Sequence, residues 1–280
     1  MGLNQFSAMT HQEFKEMYLT LDVPRISKKK HVNNDVYLGD IDWVEKGGVT
    51  PIKNQGQCGS CWAFSTTGSL EGLSLLSTGD LRTFSEQQLV DCSGPYGNHG
   101  CTGGLMENAF KYIIDKGIMV EDDYPYTARD EKCQRDGGKF KITGYVNLDT
   151  CNDLANNLLT RPVSVAVDAE KWDMYESGIF ANCSDDLDHG VTLVGMTDKY
   201  WKIKNSWGFS WGEKGYIRLA RGNTCGVCEM NSFPTRWWSK PINHLKQSKE
   251  FYFRLFLFQG SIKNFSKILW LRKHWYFKYQ

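Results

Sequence analysis

All nine cysteines of this 280-residue chain fall between Cys58 and Cys228. That confinement marks one unit whose thiols must be paired, bound to metal or reactive. Two readings compete: a disulfide-stapled domain of a secretory or lysosomal compartment, and a cytosolic metal or redox protein. An odd count leaves at least one thiol unpaired within the chain, a first sign of a working cysteine. Residues 1–10 lack the basic start and the apolar run of about 7–15 residues that a signal peptide needs. No stretch is long and apolar enough to span a bilayer.

The net charge of +1 conceals an asymmetry: residues 236–280 carry ten Lys and Arg against one acid, Glu250, which leaves −8 for residues 1–235. A mildly acidic globular part argues against nucleic acid as a partner. With 41% hydrophobic and 23% charged residues, the composition is that of a folded chain.

Hydrophobic periodicity divides the chain. Thr10 and Glu13 are spaced as a capping box ahead of Phe14, Met17 and Tyr18, which predicts a short amphipathic helix. Further helices are expected from 61 to about 77, with Gly68 and Gly72 permitting close packing. Others are expected over 85–92, with Ser85 and Gln88 spaced as a capping box, over 105–116, and after Thr150. Short β-rich runs then follow at 163–167, 191–194, 200–204 and 216–219. The order reads as an α+β arrangement, a helical lobe followed by a β lobe with a cleft between them.

The densest signal is QGQCGSCWAF over residues 55–64. Cys58-x-x-Cys61 could be a redox pair, or with Cys225-x-x-Cys228 a zinc site, although the pairs lie far beyond the roughly 15–20 residues usual between such pairs. A third reading makes Cys61 a nucleophile at a helix start, with His189 of Asp188-His-Gly190 as its proton partner. Asn205 of Asn205-Ser-Trp-Gly208 would orient that ring. His189 and Asn205 follow Cys61 by 128 and 144 positions, close to the spacing of a cysteine–histidine–asparagine peptidase. Only this third reading uses the histidine and asparagine motifs.

These segments, with the CTGGL loop over 101–105 and residues 205–216, resemble the papain-like cysteine peptidase family, and its cathepsin L-like branch most. The resemblance covers about residues 36–235. It implies a two-lobed papain-like fold, with a helical lobe over roughly 46–140 and a β-barrel-like lobe over roughly 141–235. It further implies a cysteine endopeptidase with Cys61, His189, Asn205 and Gln55 as catalytic residues. Gln55 and the Cys61 N–H would hold the oxyanion, and Trp207 would shield the histidine–asparagine contact. Gly59, Gly103, Gly104, Asp188 and Gly190 would flank the substrate. Leu105, Met106, Ala166, Gly190 and Met230 would wall an apolar specificity pocket that prefers Leu, Phe or Val at P2, two residues before the scissile bond. The family's disulfide pattern implies Cys58–Cys101, Cys92–Cys133 and Cys183–Cys225. It leaves Cys61 free and Cys151 and Cys228 unassigned, as buried thiols or an extra bridge.

The same resemblance implies no cofactor and no metal, polypeptide substrates, proteinaceous cysteine-protease inhibitors as partners, and a monomer in a lysosome or vacuole or secreted. A catalytically silent peptide- or inhibitor-binding relative is the alternative. Residues 1–35 resemble the end of an inhibitory prosegment, with Ala8 where the family usually has Asp and with the earlier helical part and signal peptide missing. Maturation is expected near residues 36–38. Residues 236–280, with 13 aromatics, fit no family pattern and read as a membrane-surface segment or untranslated sequence read as protein.

Overall fold

The computed structural model describes residues 4–23 and 37–236. Part of the prosegment-like region and the tail from residue 237 lie outside the described residues.

Among the described residues are five α-helices, three of which begin at a side-chain N-cap: Thr10, Ser85 and Thr150. In α1 (His11–Tyr18), Thr10 Oγ1 accepts from the Glu13 N–H and Glu13 Oε2 accepts from the Thr10 N–H at 2.7 Å, a closed capping box. Phe14 and Tyr18, four residues apart, share its buried face. The long helix α2 (Cys61–Thr78) is buried on nearly every side over its first 14 residues. Glycine makes that possible: a Cβ on Gly68 would sit 2.2 Å from Thr192 Oγ1, and one on Gly72 2.6 Å from Pro162 Cδ. In α3 (Glu86–Cys92), Ser85 caps the Gln88 N–H, but Gln88 does not close the expected box. Its side-chain amide instead donates to Tyr112 Oη and the Gly137 carbonyl, and its Oε1 accepts from Met119. Tertiary partners outcompete the local one. Helix α4 (Met106–Asp115) buries Met106, Ala109, Phe110 and Ile113 on one face, and Thr150 caps α5 (Cys151–Leu158).

Eight strands form one sheet: β1 (Ile41–Asp42), β2 (Gly144–Leu148), β3 (Val163–Val167), β4 (Ile179–Phe180), β5 (His189–Met196), β6 (Tyr200–Lys204), β7 (Tyr216–Ala220) and β8 (Asn231–Thr235). Their order is β2-β8-β3-β5-β6-β7-β4, with β1 on β5, and every pairing except β4–β7 is antiparallel. Strands β1, β2, β4 and β8 have no counterpart in the β-rich runs read from the sequence. Pro234 masks β8, and it is tolerated because β3 pairs only with Asn231 and Ser232, before the proline.

Two apolar cores result. One joins the sheet and α5 through Leu154, Val165, Leu193, Trp201 and Ile217. The other joins α2, α3 and α4 through Leu70, Leu89, Phe110 and Ile113, and β3 enters it through Ala166. Between the lobes runs a buried ionic network. Lys53 Nζ meets Glu71 Oε1 at 2.7 Å and Glu86 Oε1 at 2.5 Å, while Thr50 Oγ1 donates to Glu71 and accepts from Lys204 Nζ. Burial works against the Lys53 charge, yet the two glutamates hold its pKa above the usual lysine range. Burial pushes Lys204 down to about 8. The network matters for position: Lys53 lies two residues before Gln55, and Lys204 one before Asn205.

Four disulfides staple the fold: Cys58–Cys101, Cys92–Cys133, Cys183–Cys225 and Cys151–Cys228. The two unassigned cysteines thus form a bridge from the first residue of α5 to the approach to β8. Because it closes a span of 77 residues, the double change Cys151→Ser with Cys228→Ser is expected to cost about 2–4 kcal/mol of stability, read as a lower thermal unfolding midpoint. An unchanged midpoint would show the bridge adds nothing. Both rival readings of the cysteines also lose their ligands, since Cys58, Cys225 and Cys228 are each bonded to a different partner.

Candidate active site

Cys61 opens α2, where the unsatisfied N–H groups of a helix start favour negative charge. Among the described residues it is the one free cysteine. His189 begins β5 and Asn205 follows β6, and β5 pairs with β6, so the sheet itself brings the two together. His189 Nε2 lies 2.8 Å from Asn205 Oδ1. Since the amide oxygen can only accept, this contact makes Nε2 the protonated nitrogen and leaves Nδ1 with its lone pair. Nδ1 has no hydrogen-bond partner among the described residues. The Trp207 ring covers the imidazole at 4.7 Å between centroids, and Trp172 meets it edge-on at 6.2 Å. Asn205, Trp172 and Trp207 are all buried, so water is kept from the histidine–asparagine contact.

Gln55 is fully buried beside them. Its N–H donates to the Ser206 carbonyl at 2.8 Å, Ser206 Oγ donates to its Oε1 at 2.7 Å, and its Nε2 donates to the Cys58 carbonyl at 3.0 Å. Ser206 thereby decides which end of the Gln55 amide is the donor. The serine sits inside the Asn205-Ser-Trp motif, but nothing in its spacing distinguishes it from a linker residue. Trp172 likewise had no motif to announce it.

The residues expected to wall the specificity pocket also come together. Ala166 and Gly190 are cross-strand partners of β3 and β5, and the Ala166 N–H donates to the Met230 carbonyl at 2.9 Å. A Cβ on Gly190 would lie 3.3 Å from Met106 Sδ and from the Trp62 backbone. Leu105 and Met230 pack against the helical core that holds Met106 and Ala166, and so does Leu187, which the sequence reading omitted.

Residues 18–22 lie across this ground. The Leu21 N–H donates to the Asp188 carbonyl at 3.0 Å, the Asp22 N–H to the Gly104 carbonyl, and Leu21 bridges Gly104 in parallel sense. Thr20 Oγ1 donates to the Gly59 carbonyl at 2.8 Å. Only glycine fits below: a Cβ on Gly59 would be 2.4 Å from Thr20 Oγ1, and Gly103, at φ +136°, would bring one to 2.5 Å from the Thr20 carbonyl. The Leu21 side chain is buried in the same apolar cluster as Met106 and Ala166. Upstream, Phe6, Phe14 and Tyr18 pack on Trp207 at 5.3, 5.3 and 6.1 Å.

Burial sets the electrostatics of the site. Burial pushes the Cys61 thiol up to about 11, against smaller opposing contributions from the Gly190 and Thr20 backbone. Burial also pushes His189 down to about 4, against Asn205 and the Tyr18 backbone. Between those values both groups are neutral in the described state. Asp188 is raised to about 7, first by burial and then by Asp168 and Glu170, although the Ala169 N–H donates to its Oδ1.

Known proteins resemble this chain in sequence and fold. The profile described as "Papain family cysteine protease" matches residues 39–235. The protein named Cathepsin L 1 from Paramecium tetraurelia is 48% identical over 239 residues, covering 83% of this chain and 76% of its own. A cathepsin L-like proteinase of Fasciola hepatica is 47% identical, covering 84% and 78%. Among solved structures, digestive procathepsin L 3 of Tenebrio molitor larval midgut superposes with a TM-score of 0.73 at 41% identity, covering 84% of this chain and 82% of its own. A cysteine protease of Carica candamarcensis bound to E-64 gives 0.66 at 40% identity, covering 70% and 98%. On sequence and fold together, this chain belongs to the papain family of cysteine proteases and is a cysteine-type endopeptidase.

Proposed function

We propose that peptide hydrolysis runs through a Cys61 thiolate and a His189 imidazolium. The observation that carries this is the 2.8 Å contact from His189 Nε2 to Asn205 Oδ1 beneath Trp207, which leaves Nδ1 as the exchanging nitrogen. With the cleft open, water and the α2 N-terminus favour the charged pair. Sγ attacks the peptide carbonyl carbon, and the oxyanion is held by Gln55 Nε2 and the Cys61 N–H. His189 passes its proton to the departing amine, leaving a thioester on Cys61. It then takes a proton from water, whose oxygen attacks the thioester, and the thiolate leaves as the acid product forms.

In the described state residues 18–22 occupy the substrate's place, so residues 4–23 act as an inhibitory segment and the chain as a zymogen. Exposed Tyr37 and Leu38 suit the expected maturation cut near residues 36–38. The four disulfides favour an oxidising route to an acidic lumen or the outside of the cell. Polypeptides and protein inhibitors of cysteine proteases are the partners this cleft suits, acting on a monomer.

Leu21, buried among the pocket residues, supports an apolar preference at P2. In a fluorogenic peptide panel, Leu, Phe or Val at P2 is expected to exceed Arg in kcat/KM by about tenfold or more, because the pocket offers a guanidinium no carboxylate. A panel led by Arg would remove this specificity.

A further inference from the structure

Tyr126 belongs to a segment that the chemistry above does not use, yet its hydroxyl reaches both sides of the oxyanion position. The backbone around it is pinned to the helical lobe. The Tyr126 N–H donates to Glu121 Oε1 at 2.8 Å, the Thr127 N–H to Gln87 Oε1 at 2.9 Å, and Ser85 Oγ to the Tyr124 carbonyl at 2.6 Å. The ring meets Phe64, in the first turn of α2, edge-on at 4.9 Å. At its tip, the hydroxyl donates to the Gln55 carbonyl at 2.7 Å and lies 2.6 Å from Ser60 Oγ. A phenol has one proton, and a carbonyl can only accept. The proton therefore goes to Gln55, and Ser60 must donate to Tyr126.

Two consequences follow. Ser60, the N-cap residue of α2, spends its hydroxyl on Tyr126 and makes no side-chain cap. The same oxygen ties the main chain of Gln55 to the residue directly before Cys61. The two proposed oxyanion donors, Gln55 Nε2 and the Cys61 N–H, are thus referenced to one atom.

We propose that Tyr126 is a positioning residue that sets the spacing of the two oxyanion donors through its bonds to the Gln55 carbonyl and Ser60 Oγ. The inference rests on the oxyanion role given to Gln55 above. It has steep leverage, since misplacing a reacting group by about 1 Å can cost up to about 10²-fold in rate.

Tyr126→Phe removes the hydroxyl and keeps the ring on Phe64. The measurements use the full chain, incubated at acidic pH until peptide turnover is constant. Three readouts separate positioning from general damage: kcat and KM, the affinity for a peptide aldehyde, and the alkylation rate of Cys61 by chloroacetamide. The aldehyde adds the thiol to form a hemithioacetal whose oxygen uses the donors. Chloroacetamide forms an S–C bond as chloride leaves and makes no oxyanion. The expected result is a fall of about tenfold in kcat and in aldehyde affinity, with KM and alkylation within about twofold of the parent. In a Gln55→Ala background the same change is expected to have almost no further effect.

Unchanged kcat and aldehyde affinity would overturn the inference. So would equal losses in aldehyde affinity and alkylation, which would place the damage at the Cys61–His189 pair. If Gln55→Ala alone leaves kcat intact, the oxyanion assignment itself has failed. If Gln55→Ala slows turnover and Tyr126→Phe does not, only the role of Tyr126 is lost.

Discussion

Gln55→Ala is expected to lower kcat/KM by about 10²–10³, the usual loss when one oxyanion donor is removed. The change deletes a fully buried amide whose two ends are separately fixed, Oε1 by Ser206 and Nε2 directed toward the Cys58 carbonyl. Its loss should fall on kcat rather than KM, because the oxygen it serves becomes an oxyanion only in the transition state. Alkylation of Cys61 should continue at the parental rate, as it needs the thiolate and imidazolium but no oxyanion. Steady-state kinetics beside chloroacetamide alkylation check both halves. Loss of alkylation together with turnover would assign Gln55 to the ion pair instead.

Phe14→Ala is expected to open the cleft. Phe14 is 1% exposed and packs edge-on against Trp207 at 5.3 Å, with Phe6 at 5.0 Å and Tyr18 at 5.8 Å beside it. Truncating such a ring costs about 3–5 kcal/mol. Both apolar cores keep most of their own contacts, so the loss falls mainly on docking of residues 4–23. At about 1.4 kcal/mol per factor of ten, the open fraction should rise by about 10² or more.

The readout is the pH profile of Cys61 alkylation. In the docked chain the thiol is raised to about 11, so the reactive thiolate appears only as pH climbs toward that value. His189, lowered to about 4, is neutral above that pH and gives the thiolate no counter-charge. Undocking admits water, relieves both burial effects and lets the pair charge. Alkylation at about pH 6 should therefore be about 10²-fold faster in Phe14→Ala than in the parent. Equal rates would show that residues 4–23 do not control access.

Much of this was legible before any coordinates. Thr10, Ser85 and Thr150 announced helix starts because an N-cap is a local event, and Gly68 and Gly72 announced close packing on α2. Gln88 shows where local reasoning ends: its spacing was right for a capping box, but Tyr112, Gly137 and Met119 offered its side chain better partners. Strand β8 was hidden by Pro234 and by polar Asn231 and Ser232, because its strand character comes from lying between β2 and β3. The Cys151–Cys228 bridge was equally invisible, since spacing along the chain does not report which thiols meet in space.

The site followed the same division. Cys61, His189 and Asn205 stand in short motifs, which is why the sequence offers them as candidates. Ser206 and Tyr126 act through single hydroxyls whose partners lie 151 and 71 residues away, and no local pattern marks them. The largest departure concerns charge. Residue types alone predict a thiolate–imidazolium pair, whereas burial raises the Cys61 thiol to about 11 and lowers His189 to about 4 in the described state. On the proposed mechanism, the reactivity of Cys61 depends on what covers it as well as on its helix and histidine.

The most direct test is titration of the acid-incubated chain with the epoxide inhibitor E-64, followed in parallel by peptide turnover and by mass mapping of the labelled peptide. One label per chain is expected, on Cys61, with turnover falling in proportion to labelling. A label on any other residue, or turnover that persists in fully labelled chain, would contradict it.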